Sequence, residues 1–232
     1  MLPEARQKEL KAFAEKLADI ARRVLVAAHA RVETEVEFKS DGTPVTVADK
    51  EAERQMRAAI KAAYPDHGIL GEEFGPENVD AEHCWVLDPI DGTKSFLSRV
   101  PLYVTLIGLR HEGKPVLGVI DQPWLDERYV GVGNEAWLDC RGARTPLRTR
   151  DCRQLTHAVL STTDPFILTP PERGAFDHLR ATAKLTRYGL DAYAYARLAA
   201  GTIDLVAESG LKSWDVAALI PVVRGSVVRS PC

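Results

Sequence analysis

No apolar run in the 232-residue chain approaches the ~18 residues a membrane-spanning helix needs, so no stretch reads as a span. The N-terminus, Met1 to Lys11, is charged and has no apolar signal core, so no secretion is read from it. The four cysteines, Cys84, Cys140, Cys152 and Cys232, are scattered without a C-x-x-C pair. That argues against a zinc knuckle and a disulfide framework, and fits a reducing cytoplasm. Charge of neither sign prevails. A net charge of −3 leaves no basic footprint for nucleic acid. Internal repeats and low-complexity tracts are also lacking. What is present is globular: 45% hydrophobic and 27% charged residues, enough chain for one large domain or two small lobes with a real core.

The most informative stretch is Trp85-Val86-Leu87-Asp88-Pro89-Ile90-Asp91-Gly92-Thr93. An apolar run closed by Pro and Gly predicts a buried strand ending in a stiff turn, with Asp88 at its last position and Asp91 three residues on. Gly92 permits positive φ, which lets the amides from Asp91 to Thr93 face an anion. Ser95-Phe96 can open a helix whose N-terminus favours phosphate. Two acids beside such a turn suggest hard cations and a phosphoryl group. Taken alone, D-P-I-D-G also suits an ordinary hairpin turn.

Elsewhere the periodicity is plain. Leu10, Phe13, Leu17, Ile20, Val24 and Ala28 lie on one helical face over residues 3 to 30, with His29 at the end. Residues 31 to 45 alternate loosely and turn at Asp41-Gly42-Thr43-Pro44. Thr46-Val47-Ala48-Asp49 reads as a capping box, before a helix burying Ala52, Met56, Ala59, Ile60 and Ala63. Asp49 therefore has a purely capping reading as well as a chemical one. Glu72 and Glu73 follow a short strand, and adjacent side chains face opposite ways, so one of them at most serves a given site. Residues 102 to 138 read as an antiparallel sheet with a turn at Glu112-Gly113-Lys114, and residues 139 to 154 as a connection between lobes. The second half reads α/β: strand Val159 to Ser161, helix Pro170 to Lys184, extended Leu185 to Tyr188, helix Ala192 to Ala200, strand Ile203 to Glu208. Lys212-Ser213-Trp214-Asp215 then leads into a helix from Val216 to Val223, where Asp215 also fits as a favourable N-terminal charge.

Gly71-Glu72-Glu73, Asp88-Pro89-Ile90-Asp91-Gly92-Thr93 and Trp214-Asp215-Val216-Ala217-Ala218, in that order and with Thr46-Val47-Ala48-Asp49 upstream, resemble the inositol monophosphatase family from about residue 5 to 224. Asp91-Gly92-Thr93-Lys94-Ser95-Phe96, Gly118-Val119-Ile120-Asp121-Gln122-Pro123, Leu160-Ser161-Thr162-Thr163 and Tyr188-Gly189-Leu190-Asp191-Ala192-Tyr193 look most like its bacterial histidinol-phosphate phosphatase branch. The resemblance implies an α+β, α/β fold, a layered α-β-α-β-α sandwich of the sugar-phosphatase type. Its lobes would span about residues 1–145 and 146–232. It implies a Mg²⁺-dependent phosphomonoesterase acting on a small phosphorylated metabolite through metal-activated water, in the cytoplasm, with a homodimer suggested and no nucleic-acid or membrane partner.

By position, the resemblance puts Glu72, Asp88 and the Ile90 carbonyl on one Mg²⁺, and Asp88, Asp91 and Asp215 on a second. A set of oxygen donors without Cys or His agrees with Mg²⁺ over zinc. Thr93 and Asp49 would orient and deprotonate water, the amides of Gly92 and Thr93 would cradle phosphate, Glu208 would contact the leaving alcohol, and Arg187 would be a substrate contact of the histidinol-phosphatase branch. L-Histidinol phosphate is the expected substrate, with inositol-1-phosphate or another small sugar or nucleotide phosphate as the alternative. A catalytically weak binding relative is the non-enzyme reading. Relatives continue past Trp214-Asp215 through a Gly-Gly turn and a strand, whereas this chain reads Val222 to Cys232 and stops. The second lobe is thus expected to be truncated and the core behind Asp215 under-packed.

Overall fold

A computed structural model describes residues 2–30, 36–38 and 44–227. The predicted turn at residues 41–43 and the stretch from residue 228 on lie outside the described residues. The chain runs α1 (Glu4–His29), β1 (Val36–Phe38), β2 (Pro44–Thr46), α2 (Val47–Ala63), β3 (Gly68–Gly71), β4 (Gly75–Glu77), β5 (His83–Asp91) and α3 (Thr93–Leu97). A meander follows: β6 (Val104–His111), β7 (Lys114–Gln122), β8 (Glu127–Val132), β9 (Glu135–Cys140) and β10 (Ala143–Pro146). Then come β11 (Val159–Thr162), α4 (Pro170–Thr182), β12 (Leu185–Tyr188), α5 (Tyr193–Ala199), β13 (Leu205–Val206), α6 (Ser213–Ala217) and α7 (Leu219–Ser226).

Eight strands form one sheet in the order β10-β9-β8-β7-β6-β5-β3-β4, antiparallel except for the β3–β5 pair. Three parallel-paired strands form a second sheet, β12-β11-β13. Side-chain alternation sorts the large sheet's residues to two faces. Trp85, Leu87, Ile107, Leu109 and Val119 meet Leu10, Phe13, Leu17, Met56 and Ile60 of α1 and α2. Leu106, Ile120 and Tyr129 meet Ala196, Ala218, Leu219 and Val222 of α5 to α7. Leu190, Ala194 and Ile203 join α5 to the small sheet, and Phe176 of α4 closes its far side against Leu160. The layers are thus α-β-α-β-α, as expected.

Four local readings need correction. Residues 139–146, expected to connect lobes, instead complete β9 and form edge strand β10 of the large sheet. The strand over 203–208 shrinks to Leu205–Val206. The final helix is broken into α6 and α7 at Ala218, shortly before Pro221, whose missing N–H cannot serve an uninterrupted helix. Lastly, the core behind Asp215 is not under-packed among the described residues: Ala217, Ala218, Leu219 and Val222 are all buried.

That packing has a specific cause. Gly108, Gly118 and Gly131 pair across β6, β7 and β8 and form one row running across the sheet. A Cβ at Gly118 would lie 2.0 Å from the Ala218 carbonyl oxygen, and one at Gly131 2.4 Å from Val222 N. The row is a trough in which the backbone of α6 and α7 rests. Gly118→Ala is expected to destabilise the protein by about 2–4 kcal/mol, since backbone rather than a flexible side chain must give way. Gly174 lies inside α4 with open space around it, so Gly174→Ala is expected to stabilise by about 0.5–1 kcal/mol. Urea unfolding of the two variants checks both signs.

Candidate active site

Pro89 would be out of place inside a regular ladder, because it donates no hydrogen bond. The strand does not stop before it. β5 continues to Asp91 through a bulge: Asp88 pairs with Leu106 and Asp91 with Val104, three steps on one strand against two on its neighbour. The Thr105 hydroxyl donates to the Pro89 carbonyl at 2.8 Å and steadies the distortion. The extra residue reverses the alternation of faces beyond it. Asp88 and Asp91, three apart and destined for opposite faces of a regular strand, therefore share one. The expectation that Asp88 ends the strand is corrected accordingly.

Gly92 follows in the left-handed region, with φ +85°, and turns the chain into α3. A Cβ there would also come 3.1 Å from Asp191 Oδ2. The Thr93 hydroxyl donates to the Ile90 carbonyl at 3.1 Å. From the opposite layer, the trough delivers α6 with Asp215, whose Oδ2 accepts the Lys212 amide at 2.5 Å. One carboxylate oxygen from each of Asp88, Asp91 and Asp215 lies within 4.8 Å of the others.

Glu72 arrives from β3. Its amide donates to the Leu87 carbonyl at 3.1 Å, which seats it beside the end of β5. The loop that carries it is held from beneath by Glu53, which is fully buried and accepts the Glu73 and Phe74 amides at 2.8 and 3.2 Å and Arg57 Nε at 2.7 Å. Gly71 is required here, since a Cβ would lie 1.9 Å from Glu53 Oε1. Asp49 does form the predicted capping box: its Oδ2 accepts the Thr46 amide at 2.7 Å and the Thr46 hydroxyl at 2.5 Å. Those bonds occupy one oxygen. Among the described residues no hydrogen bond joins Asp49 to Thr93.

The electrostatics single this group out. Burial is the main force raising the pKa of Asp88, and the charges of Glu72, Asp91, Asp215 and Asp49 add to it. Burial likewise raises Asp91, reinforced by Asp191 and opposed by the Ala192 amide donating to it at 2.6 Å. Asp215 is raised by burial, and burial pushes Asp49 up to about 6 against its bonds from Thr46. Asp88 Oδ1 is buried with no hydrogen-bond partner among the described residues. An oxygen-only donor set holding one orphaned carboxylate oxygen fits a hard divalent cation.

Not every expected residue joins the cluster. Glu208 stands at its margin. Its Oε1 accepts the Thr163 amide at 2.6 Å, burial raises its pKa, and it acts on Tyr195 together with Asp91 and Asp215. Arg187 lies exposed on β12 opposite Ser161, and among the described residues no hydrogen bond or ion pair ties it to the acids. Sequence reasoning missed two contributors. Asp191, at φ +48°, meets Gly92 and lies 3.4 Å from the Ser95 hydroxyl. The buried Glu53–Arg57 pair carried a readable signal: two charges four apart on the apolar stripe of α2.

The chain belongs to the inositol monophosphatase family, whose model matches residues 6–226. It is 43% identical over 217 residues to the chloroplastic bifunctional phosphatase IMPL2 of Arabidopsis thaliana, covering 90% of this chain and 60% of that protein. It is 36% identical over 211 residues to a histidinol-phosphatase of Chlorobaculum parvum, covering 90% and 80%. An inositol monophosphatase structure from Zymomonas mobilis superimposes with a TM-score of 0.82 at 39% identity, covering 94% of this chain and 83% of that one.

Carboxylates whose pKa is raised by folding bind protons more tightly in the folded state. Their stabilising contribution is present below the unfolded value near 4 and is lost as pH climbs through the raised folded values, Asp49's being about 6. In EDTA, Tm is therefore expected to fall as pH climbs from about 4 through about 6 and above, and Mg²⁺ is expected to restore it. Asp88→Asn should raise Tm in EDTA by a few degrees and abolish most of the Mg²⁺ increment, as differential scanning fluorimetry will show.

Proposed function

We propose that the chain hydrolyses a small phosphate monoester, with L-histidinol phosphate as the preferred substrate. The observation that carries this reading is the convergence of Asp88, Asp91 and Asp215 within 4.8 Å beside the left-handed Gly92 turn. Glu72, Asp88, Asp91, Asp215 and the Ile90 carbonyl would hold Mg²⁺. When bound, the ions neutralise phosphate charge and activate water, as two-metal sites do. Asp49, with its carboxyl poised near neutral pH, is the group assigned to accept the water's proton, and Thr93 orients that water from the Ile90 carbonyl side. The Gly92 and Thr93 amides, at the start of α3, receive the phosphoryl oxygens.

Substrate choice rests on the margin of the site. Glu208 and Asp191 are partly buried acids, a setting that suits a cationic alcohol such as histidinol better than a neutral polyol. The 36% identity to a named histidinol-phosphatase supports the same reading. Such a reaction would place the chain in histidine biosynthesis, in the cytoplasm. The family's inositol monophosphatases favour the alternative, inositol-1-phosphate.

Phosphate release from the two esters, side by side with Mg²⁺ and with EDTA, decides between them. The expected result is Mg²⁺-dependent release with a clear preference for histidinol phosphate. Asp88→Asn should lower kcat by about 100-fold or more, given that even residues supporting a ligand from behind are worth 10–100-fold. Glu208→Gln should raise KM for histidinol phosphate about tenfold and leave the inositol ester little changed. Equal loss on both esters would remove Glu208 from substrate choice.

A further inference from the structure

β5 has a second cluster of metal-ligating groups at its opposite end. His83 opens the strand and His111 closes β6, and the two are direct cross-strand partners. Their rings lie 4.7 Å apart. Glu82 precedes His83 and is anchored by the Glu112 amide, which donates to its carbonyl at 2.8 Å. Its Oε1 lies 3.5 Å from His111 Nδ1 and 3.9 Å from His83 Nδ1. One ligand atom from each of the three side chains falls within 4.8 Å of the others. Asp88 lies five residues along β5 from His83, and at about 3.3 Å per residue the cluster sits roughly 17 Å or more from the acid site.

Two features set this group apart from a packed histidine pair. His83 Nε2 is buried with no hydrogen-bond partner among the described residues, which costs desolvation without return, and buried His111 Nδ1 has only the 3.5 Å approach of the Glu82 carboxylate. A third ring, His67, is already committed. It accepts from Trp85 Nε1 at 3.0 Å, burial lowers its pKa to about 4, and it stacks on His83 at 4.9 Å. It therefore walls the cluster and leaves two imidazoles and one carboxylate facing one another. Burial also lowers the pKa of His83, against the pull of Glu82, which favours the neutral form a ligand needs.

We propose that Glu82, His83 and His111 form a second metal site, selective for a late transition ion such as Zn²⁺, which clips the start of β5 to the end of β6. Imidazole nitrogen favours such ions over Mg²⁺, and directly opposed cross-strand residues have the spacing a chelate needs. Three protein ligands leave one position for water at the half-exposed mouth beside Glu82.

Calorimetric titration of the full chain with Zn²⁺, in excess Mg²⁺ to occupy the acid site, tests this. One equivalent of Zn²⁺ should bind and raise Tm by a few degrees. His83→Gln and His111→Gln should each weaken it at least tenfold, while zinc-free, Mg²⁺-dependent phosphate release stays unchanged. Cu²⁺ loaded on the unaltered protein gives a readout independent of variant folding, and its electron paramagnetic resonance spectrum should show coupling to two nitrogens. Undiminished Zn²⁺ affinity in both variants, failure to bind Zn²⁺ against Mg²⁺, or a Cu²⁺ spectrum without nitrogen coupling would overturn the proposal.

Discussion

The acid cluster exists because a helix backbone lies directly on a sheet. A helix is usually held off the sheet it covers by the side chains of both. Here Gly108, Gly118 and Gly131 remove those side chains along one row, and Gly225 does the same from the helix side where α7 meets Glu135. The helices α6 and α7 sink into the trough. Asp215, two residues ahead of the buried Ala217 and Ala218, is thereby brought level with Asp88 and Asp91. A Cβ anywhere along the row would lift the helix and part the three carboxylates, so stability and the site depend on the same contact.

The buried carboxylates divide by partnership. Asp121 is fully buried and takes Arg22 Nε and an Arg22 terminal nitrogen at 3.0 and 2.8 Å and Arg128 Nε at 2.7 Å, tying α1 to β7 and β8. Glu53 is equally buried and equally satisfied by Arg57 and two amides. Both are structural, since a buried charge persists only when paired and hydrogen-bonded. Asp88 has no cation beside it and an oxygen with no partner among the described residues. Like charges gathered with only the Lys212 charge acting against them at Asp215 are a standing cost to the fold, and a bound cation would offset it. Buried acids alone do not mark this site; a group of like charges holding one carboxylate oxygen without a partner among the described residues does.

The site is also held unevenly. Asp88 and Asp91 belong to β5, an interior strand of a sheet buried on both faces. Glu72 rides on a loop braced by Glu53, and Asp49 sits in the first turn of α2, fixed by its own capping bonds. Glu208 and Asp191 come from the smaller sheet's side, on short elements and a left-handed residue. Asp88 and Asp91 are thus carried by a long interior strand, and the groups assigned to substrate choice by short or irregular segments.

Much of this was legible in the sequence, because it is local. The helical period of α1, the Thr46–Asp49 capping box and the left-handed Gly92 are set by neighbours within a few residues, and the order of the acidic motifs identified the family. Tertiary structure alone decided the rest. Pro89 reads locally as the end of a strand, but pairing with β6 absorbs it as a bulge, and that bulge turns Asp91 to the face of Asp88. Residues 139–146 read as a connector until β8 supplies the partner that makes β9 and β10 strands. The three glycines lie ten to thirteen residues apart with no local period, and their meaning appears only when pairing aligns them in a row beneath a helix more than 80 residues later. Local conformation follows from nearby covalent chemistry; close approach between distant backbones is set by which strands happen to pair.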